Sequence, residues 1–137
     1  MAKGFSLSVY PWTYSAKYQH EEGWSQEYHE KKHGTPEEEA GMDPAELDTL
    51  LKSRNSMEGL PLVNVTTQYG FGCFEGLKAL PQLDGSLKLF RPNQNASRFE
   101  KSMIGMKMPG FPEAMFVDAV KGVARKNKDI GFAPVYN

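Results

Sequence analysis

The run His29-Glu30-Lys31-Lys32-His33 has two imidazoles four residues apart with a glutamate beside the first. On a helix that spacing binds a zinc ion, and the carboxylate activates the metal-bound water. The surroundings do not favour a helix. Between Gln26 and His33 only Tyr28 is a large apolar anchor, and Gly34-Thr35-Pro36 would cut such a helix off at once. Glu37, Glu38 and Glu39 stand too near in sequence to supply a third ligand from a second helix. The expectation is a polar surface loop that matches by chance, with no metal.

Gly70, Gly72 and Gly76 form a second candidate. A dinucleotide-binding turn needs G-x-G-x-x-G opening a helix. Here the last interval is one residue too long, Glu75 fills the third glycine's place, and the run precedes a strand pattern. It reads as a turn that lets backbone approach something closely. Cys73 has no histidine nearby in sequence, so it reads as a small buried apolar residue rather than a nucleophile. Tyr69 and Phe74, taken singly, read as core. Arg98 is the third candidate. A guanidinium offers a permanent charge and several donors to a phosphate dianion. The local alternative is a surface arginine paired with Glu100 or solvent.

These residues need elements to hold them. The alternation Phe5, Leu7, Val9 predicts an edge strand ended by Pro11. The polar stretch 17–32 predicts a loop or short surface hairpin, with Trp12, Tyr14 and Tyr18 as packing aromatics. Thr35-Pro36-Glu37-Glu38 has a capping-box pattern and predicts a single helical turn. Asp43-Pro44-Ala45-Glu46 predicts a second helix start, leading into an apolar stripe of Leu47, Leu50 and Leu51. A loop covers Arg54 to Leu60. Leu62, Val63 and Val65 predict a buried strand, and residues 73–80 another. Asp84-Gly85 is a turn dipeptide, and Leu87 to Phe90 returns with alternating faces. Asn93 is the expected cap of a helix to about Ile104, with Ala96, Phe99 and Met103 inward. The last helix starts at Pro112. Met115, Phe116, Ala119, Val120 and Val123 form its apolar face, and its C-terminal end is basic, complementing the macrodipole up to a stop at Gly131.

At 137 residues the chain suits one domain with a real core. No apolar run approaches a membrane span, no export signal is legible, and the single Cys73 suits a reducing cytoplasm. Net charge is −1, but residues 1–60 hold 11 acids against 6 bases, and residues 61–137 hold 6 against 10. The basic part could attract an anion, or it could simply be helix-end lysines on a solvated face. No basic stripe interleaved with aromatics points to nucleic acid.

The run YGFGCFEGLKA and, after it, DGSLKLFRPNQNASRF resemble the N-terminal domain of the branched-chain amino acid aminotransferases, pyridoxal-phosphate enzymes of fold type IV. EKKHGTPEEEA, RNS with GLPLVN, and PEAMFVDAVKGVARKNKD resemble their flanks. The resemblance implies that Arg98 anchors the cofactor phosphate, that Tyr69 borders the substrate pocket, and that Phe74 lines it for a branched aliphatic side chain. In that family the catalytic lysine belongs to a second, larger domain. Lys78 and Lys88 do not sit at its position, so this chain is expected to lack the large domain and to be inactive alone. The family is typically homodimeric.

The expected fold is therefore α+β: an antiparallel sheet with helices packed on one side. Residues 60–137 form its sheet-and-helix core, and residues 1–59 an N-terminal extension. The implied reaction moves an amino group between leucine, isoleucine or valine and 2-oxoglutarate on pyridoxal 5'-phosphate, in the cytoplasm, without nucleic acid or membrane partners. Rival readings are a D-amino-acid aminotransferase or aminodeoxychorismate-lyase relative, a non-catalytic interaction domain and, distantly, a zinc peptidase.

Overall fold

A computed structural model describes residues 9–56 and 60–132. The first strand predicted from Phe5 and Leu7 lies outside the described residues. The polar stretch after it forms the longest strands of the molecule, β1 (Trp12–Gln19) and β2 (Gly23–Glu30). They pair antiparallel from Trp12 opposite Glu30 to Gln19 opposite Gly23, around a turn in which Gly23 has φ +76°. Aromatic cross-strand pairs hold the register. Tyr14 stacks edge-on against Tyr28 at 5.1 Å, and Tyr18 against Trp24 at 5.3 Å.

Both predicted caps are present. Thr35 and Glu38 form a reciprocal capping box at α1 (Pro36–Ala40), and Asp43 accepts from the amide of Ala45 at α2 (Pro44–Arg54). The predicted buried strand at Leu62, Val63 and Val65 is not formed. Asn64 instead accepts from the amides of Thr66 and Thr67, so it caps a short helix, α3 (Val65–Tyr69). Leu62 and Val63 are exposed. The cap decides here: a side chain that satisfies two orphan amides outweighs a short run of β-formers. The strand predicted over 73–80 shrinks to β3 (Ala79–Pro81), which pairs antiparallel with β4 (Leu87–Leu89). Their connection turns at Gly85, φ +76°.

Two long helices complete the fold. In α4 (Pro92–Gly105) Arg91, not Asn93, occupies the N-cap, with a left-handed φ of +46° and Pro92 as the first helical residue. Helix α5 (Glu113–Asp129) begins after Pro112, as its sequence predicts. The two helices pack together, and Ala96 and Met103 of α4 and Ala119 of α5 are buried. Phe111 joins Trp24 of β2 to Phe99 of α4, with ring centroids at 4.8 and 6.3 Å, and Trp24 Nε1 donates to the Gly110 carbonyl.

Helix α5 also packs on β1. The buried amide of Asn127 accepts from Trp12 N at 2.9 Å and donates to Trp12 O at 2.9 Å, taking the place of a neighbouring strand. Lys126 lies 4.1 Å above the Trp12 ring. Gly122 leaves room for Tyr28: a Cβ there would stand 2.1 Å from its hydroxyl. The fold is thus α+β, with two small antiparallel sheets and five helices among the described residues. The longer hairpin lies within residues 1–59, ahead of β3, β4, α4 and α5.

Candidate functional site

Arg98 projects from α4 toward the glycine-rich segment 70–76. Its Nε donates to Glu75 Oε2 at 3.1 Å and its Nη2 to Glu75 Oε1 at 2.7 Å. This two-point contact is the strong geometry for guanidinium and carboxylate. One turn earlier on the same helix, the buried Asn95 donates from Nδ2 to Glu75 Oε1 at 2.9 Å and to the Gly76 carbonyl at 3.0 Å. The local alternative of an Arg98–Glu100 pair is replaced by a partner 23 positions away.

The exposure of the two partners is unequal. The Glu75 side chain is 12% exposed and that of Arg98 is 61% exposed. The bonds from Arg98, then those from Asn95, hold the Glu75 carboxyl below its ordinary pKa, while Glu75 raises that of Arg98. The carboxylate is the fixed member. Arg98 spends its Nε–Nη2 edge on it, and Nη1 has no partner among the described residues. Five guanidinium N–H groups less two leave a positively charged edge facing water. That edge can donate to an anion.

Tyr69 ends α3. Gly70 is the left-handed C-cap (φ +63°), a conformation that suits glycine, and the Phe71 amide returns to the Val65 carbonyl. Tyr69 is 85% exposed and Phe74 94%, so both rings stand free of the core. Arg98 meets Glu75, the neighbour of Phe74 in sequence. No contact joins Tyr69 to Arg98 among the described residues.

The other candidates fall elsewhere. His29 lies in β2 and its ring meets the Ser15 hydroxyl at 2.7 Å, while His33 lies beyond the strand against Glu30 and the Gly34 carbonyl. Extended backbone carries residues four apart roughly 13 Å from each other, too far to share the one zinc ion that a helical turn would let them hold. No metal-holding cluster is found among the described residues. Cys73 is half-buried. A groove of about 710 Å³ runs between β1, β3, β4 and α5, lined by Trp12, Leu87, Leu89, Val120 and Val123 and also by Glu75.

Sequence reasoning missed Glu75 and Asn95 as site residues. The one available signal was spacing: Asn95 and Arg98 are i, i+3 on one helix and so can grip one carboxylate. Nothing local said which carboxylate.

No protein-family model matches the chain. It is 48% identical over 61 residues to a branched-chain-amino-acid aminotransferase of Haemophilus influenzae, covering 44% of this chain and 18% of that protein. Similar matches are a chloroplastic branched-chain amino acid aminotransferase of Humulus lupulus (48% over 60 residues, 44% of this chain, 15% of that protein) and a methionine aminotransferase of Arabidopsis thaliana (46% over 61 residues, 44% and 17%). The chain thus resembles branched-chain aminotransferases over a little under half its length, and spans less than a fifth of these curated relatives. Among the described residues no helix is long and apolar enough to cross a membrane.

Proposed function

We propose that this chain is the phosphate-anchoring, substrate-selecting part of a pyridoxal-phosphate-dependent branched-chain amino acid aminotransferase of fold type IV. The observation that carries the reading is the half-used guanidinium of Arg98, fixed on one edge by Glu75 and open on the other. When bound, pyridoxal phosphate supplies the electron sink for amino transfer. The chain's own residues bind and orient. Arg98 holds the phosphate, and Tyr69 and Phe74 offer uncovered aromatic faces to an aliphatic side chain. The substrates are leucine, isoleucine or valine with 2-oxoglutarate. The methionine aminotransferase among the relatives supports a pocket tolerant of unbranched aliphatic chains as well.

In this reading proton transfer belongs to a lysine outside these residues, and the pocket closes against a second domain in a cytoplasmic homodimer. The exposure of Tyr69 and Phe74 supports that division, because an apolar side chain needs a second wall to leave water. The test uses the 137-residue chain with pyridoxal phosphate, leucine and 2-oxoglutarate. Expected are cofactor binding that inorganic phosphate competes away, loss of that binding in Arg98→Ala, and no transamination. Turnover by the chain alone, or equal cofactor affinity in Arg98→Ala, would overturn it.

A further inference from the structure

We propose that Glu75 and Asn95 are positioning residues that preform Arg98 as an anion receptor, with Glu75 acting as its holder and not as a competitor for its ligand. This rests on the anchoring role proposed for Arg98, but it concerns residues to which that role assigns nothing.

A carboxylate beside an arginine can do one of two opposite things. It can occupy the edge that the ligand needs, so that the ligand must displace it. Alternatively, it can fix one edge so that the other points in a set direction. The geometry favours the second. Glu75 is nearly buried and is held by two partners, Arg98 and Asn95. Asn95 is itself buried, and its remaining amide hydrogen goes to the Gly76 carbonyl, the backbone just beyond Glu75. One side chain of α4 therefore grips both the carboxylate and the chain that carries it. If the carboxylate left Arg98 it would stay in the same place with a single donor, which is costly for a charge removed from water. Arg98 is the long, exposed member and gains direction from the contact. A guanidinium fixed along Nε–Nη2 presents Nη1 on the opposite side, and a prepaid orientation lowers the entropy lost on binding.

The experiment uses the whole chain with inorganic phosphate as probe. The readouts are phosphate affinity and the proton-exchange rate of the Arg98 Nε–H, monitored by ¹⁵N NMR. Glu75→Asp keeps the charge but loses the reach needed to meet Arg98 and Asn95 together. It is expected to speed Nε–H exchange and to weaken phosphate binding about tenfold, the low end of what losing an orienting partner costs at a bound group. Asn95→Ala, which changes no charge, is expected to act in the same direction. In an Arg98→Ala background Glu75→Asp should make no further difference, because a positioning residue acts only through the group it positions. Unchanged or tighter phosphate binding in Glu75→Asp overturns the proposal and makes Glu75 a bystander or a competitor. If Arg98→Ala binds phosphate as tightly as the parent chain, the anchoring role of Arg98 fails and this proposal fails with it. Nε–H exchange without phosphate still reports separately whether Glu75 holds Arg98.

Discussion

The molecule contains two arginine–glutamate pairs with the same chemistry and opposite consequences. Arg54 and Glu39 are 3% and 7% exposed. Arg54 donates from Nη1 to Glu39 Oε2 at 3.0 Å and to the Val9 carbonyl at 3.3 Å, from Nε to the Lys32 carbonyl at 3.0 Å, and from Nη2 to Glu39 Oε1. Glu39 also accepts from the Gly34 amide, and the Phe132 ring lies 5.4 Å from the guanidinium carbon. Each Arg54 nitrogen has a protein partner, so the pair ties the chain before β1, the segment after β2, α1 and α2 into one knot. In the other pair the carboxylate is equally committed, but the guanidinium is half spent and mostly in water. A saturated pair is structure. An unsaturated one, whose cation is held by a nearly buried anion, keeps donors free for the anion proposed above.

The largest expected effect comes from that contrast. Arg54→Ala leaves the Glu39 carboxylate buried and unpaired, a loss of about 3–5 kcal/mol. Against a typical domain stability of about 5–15 kcal/mol, this brings the chain close to unfolding in a urea titration. Replacing both partners by apolar residues should not restore it, because Arg54 also satisfies the carbonyls of Val9 and Lys32. Arg98→Ala also takes two donors from Glu75, but its guanidinium is mostly in water and water can replace it, so the urea midpoint should fall clearly less than in Arg54→Ala. A midpoint for Arg98→Ala as low as that for Arg54→Ala would erase the distinction between the two pairs.

The same contrast explains what could be read from sequence. Local rules act over a few residues, and where they sufficed they were right. The capping box at Thr35, the Asp43 cap, the turn at Gly85 and the apolar faces of α4 and α5 are each set by neighbours within a turn or two. The Asn64 cap was equally local but was overlooked beside Leu62, Val63 and Val65, whose apolar run suggested a buried strand. Both ion pairs were invisible for a different reason. Glu39 is the last of three consecutive glutamates, and only its contact with Arg54, 15 positions on, selects it for burial. Glu75 carries no local sign of its partner, which lies 23 positions on. The β1–β2 hairpin was underestimated because its stabilising groups are aromatics opposite each other across the strands, not a hydrophobic alternation.

A smaller effect is expected where α5 meets the hairpin. Gly122 lies in the interior of α5, where glycine costs about 1 kcal/mol relative to alanine. Its place is explained by Tyr28, whose hydroxyl, ζ and ε1 atoms would stand 2.1, 2.6 and 2.8 Å from an added Cβ. Gly122→Ala should therefore destabilise the chain by about 1–3 kcal/mol through overpacking, despite its better helix propensity. In a Tyr28→Ala background the sign should reverse, because the obstacle is gone and the propensity gain remains. If Gly122→Ala stabilises the parent chain as well, Tyr28 swings aside freely and does not fix α5 on β2.

The smallest expected effect is a pH dependence with opposite signs at the two ends. His33, beside the Arg54 knot, has its pKa raised by hydrogen bonding to the Gly34 carbonyl, then by Glu30. A raised folded-state value means that its stabilisation is complete below the ordinary histidine range and is lost as pH climbs through and above it. Glu75 has its pKa lowered by Arg98 and then Asn95. Its contribution is complete above the ordinary carboxylate range and is lost as pH falls through and below it. The Arg54 region should therefore loosen slightly toward alkaline pH, and the Arg98 region toward acid. His33→Asn should flatten the alkaline limb of the melting profile and leave the acid limb alone. Protection of the Arg98 Nε–H should survive the alkaline limb and collapse only in acid. If both limbs moved together in His33→Asn, the two pairs would belong to one electrostatic unit. Arg98 could not then be tuned for a ligand without cost to the knot at Arg54.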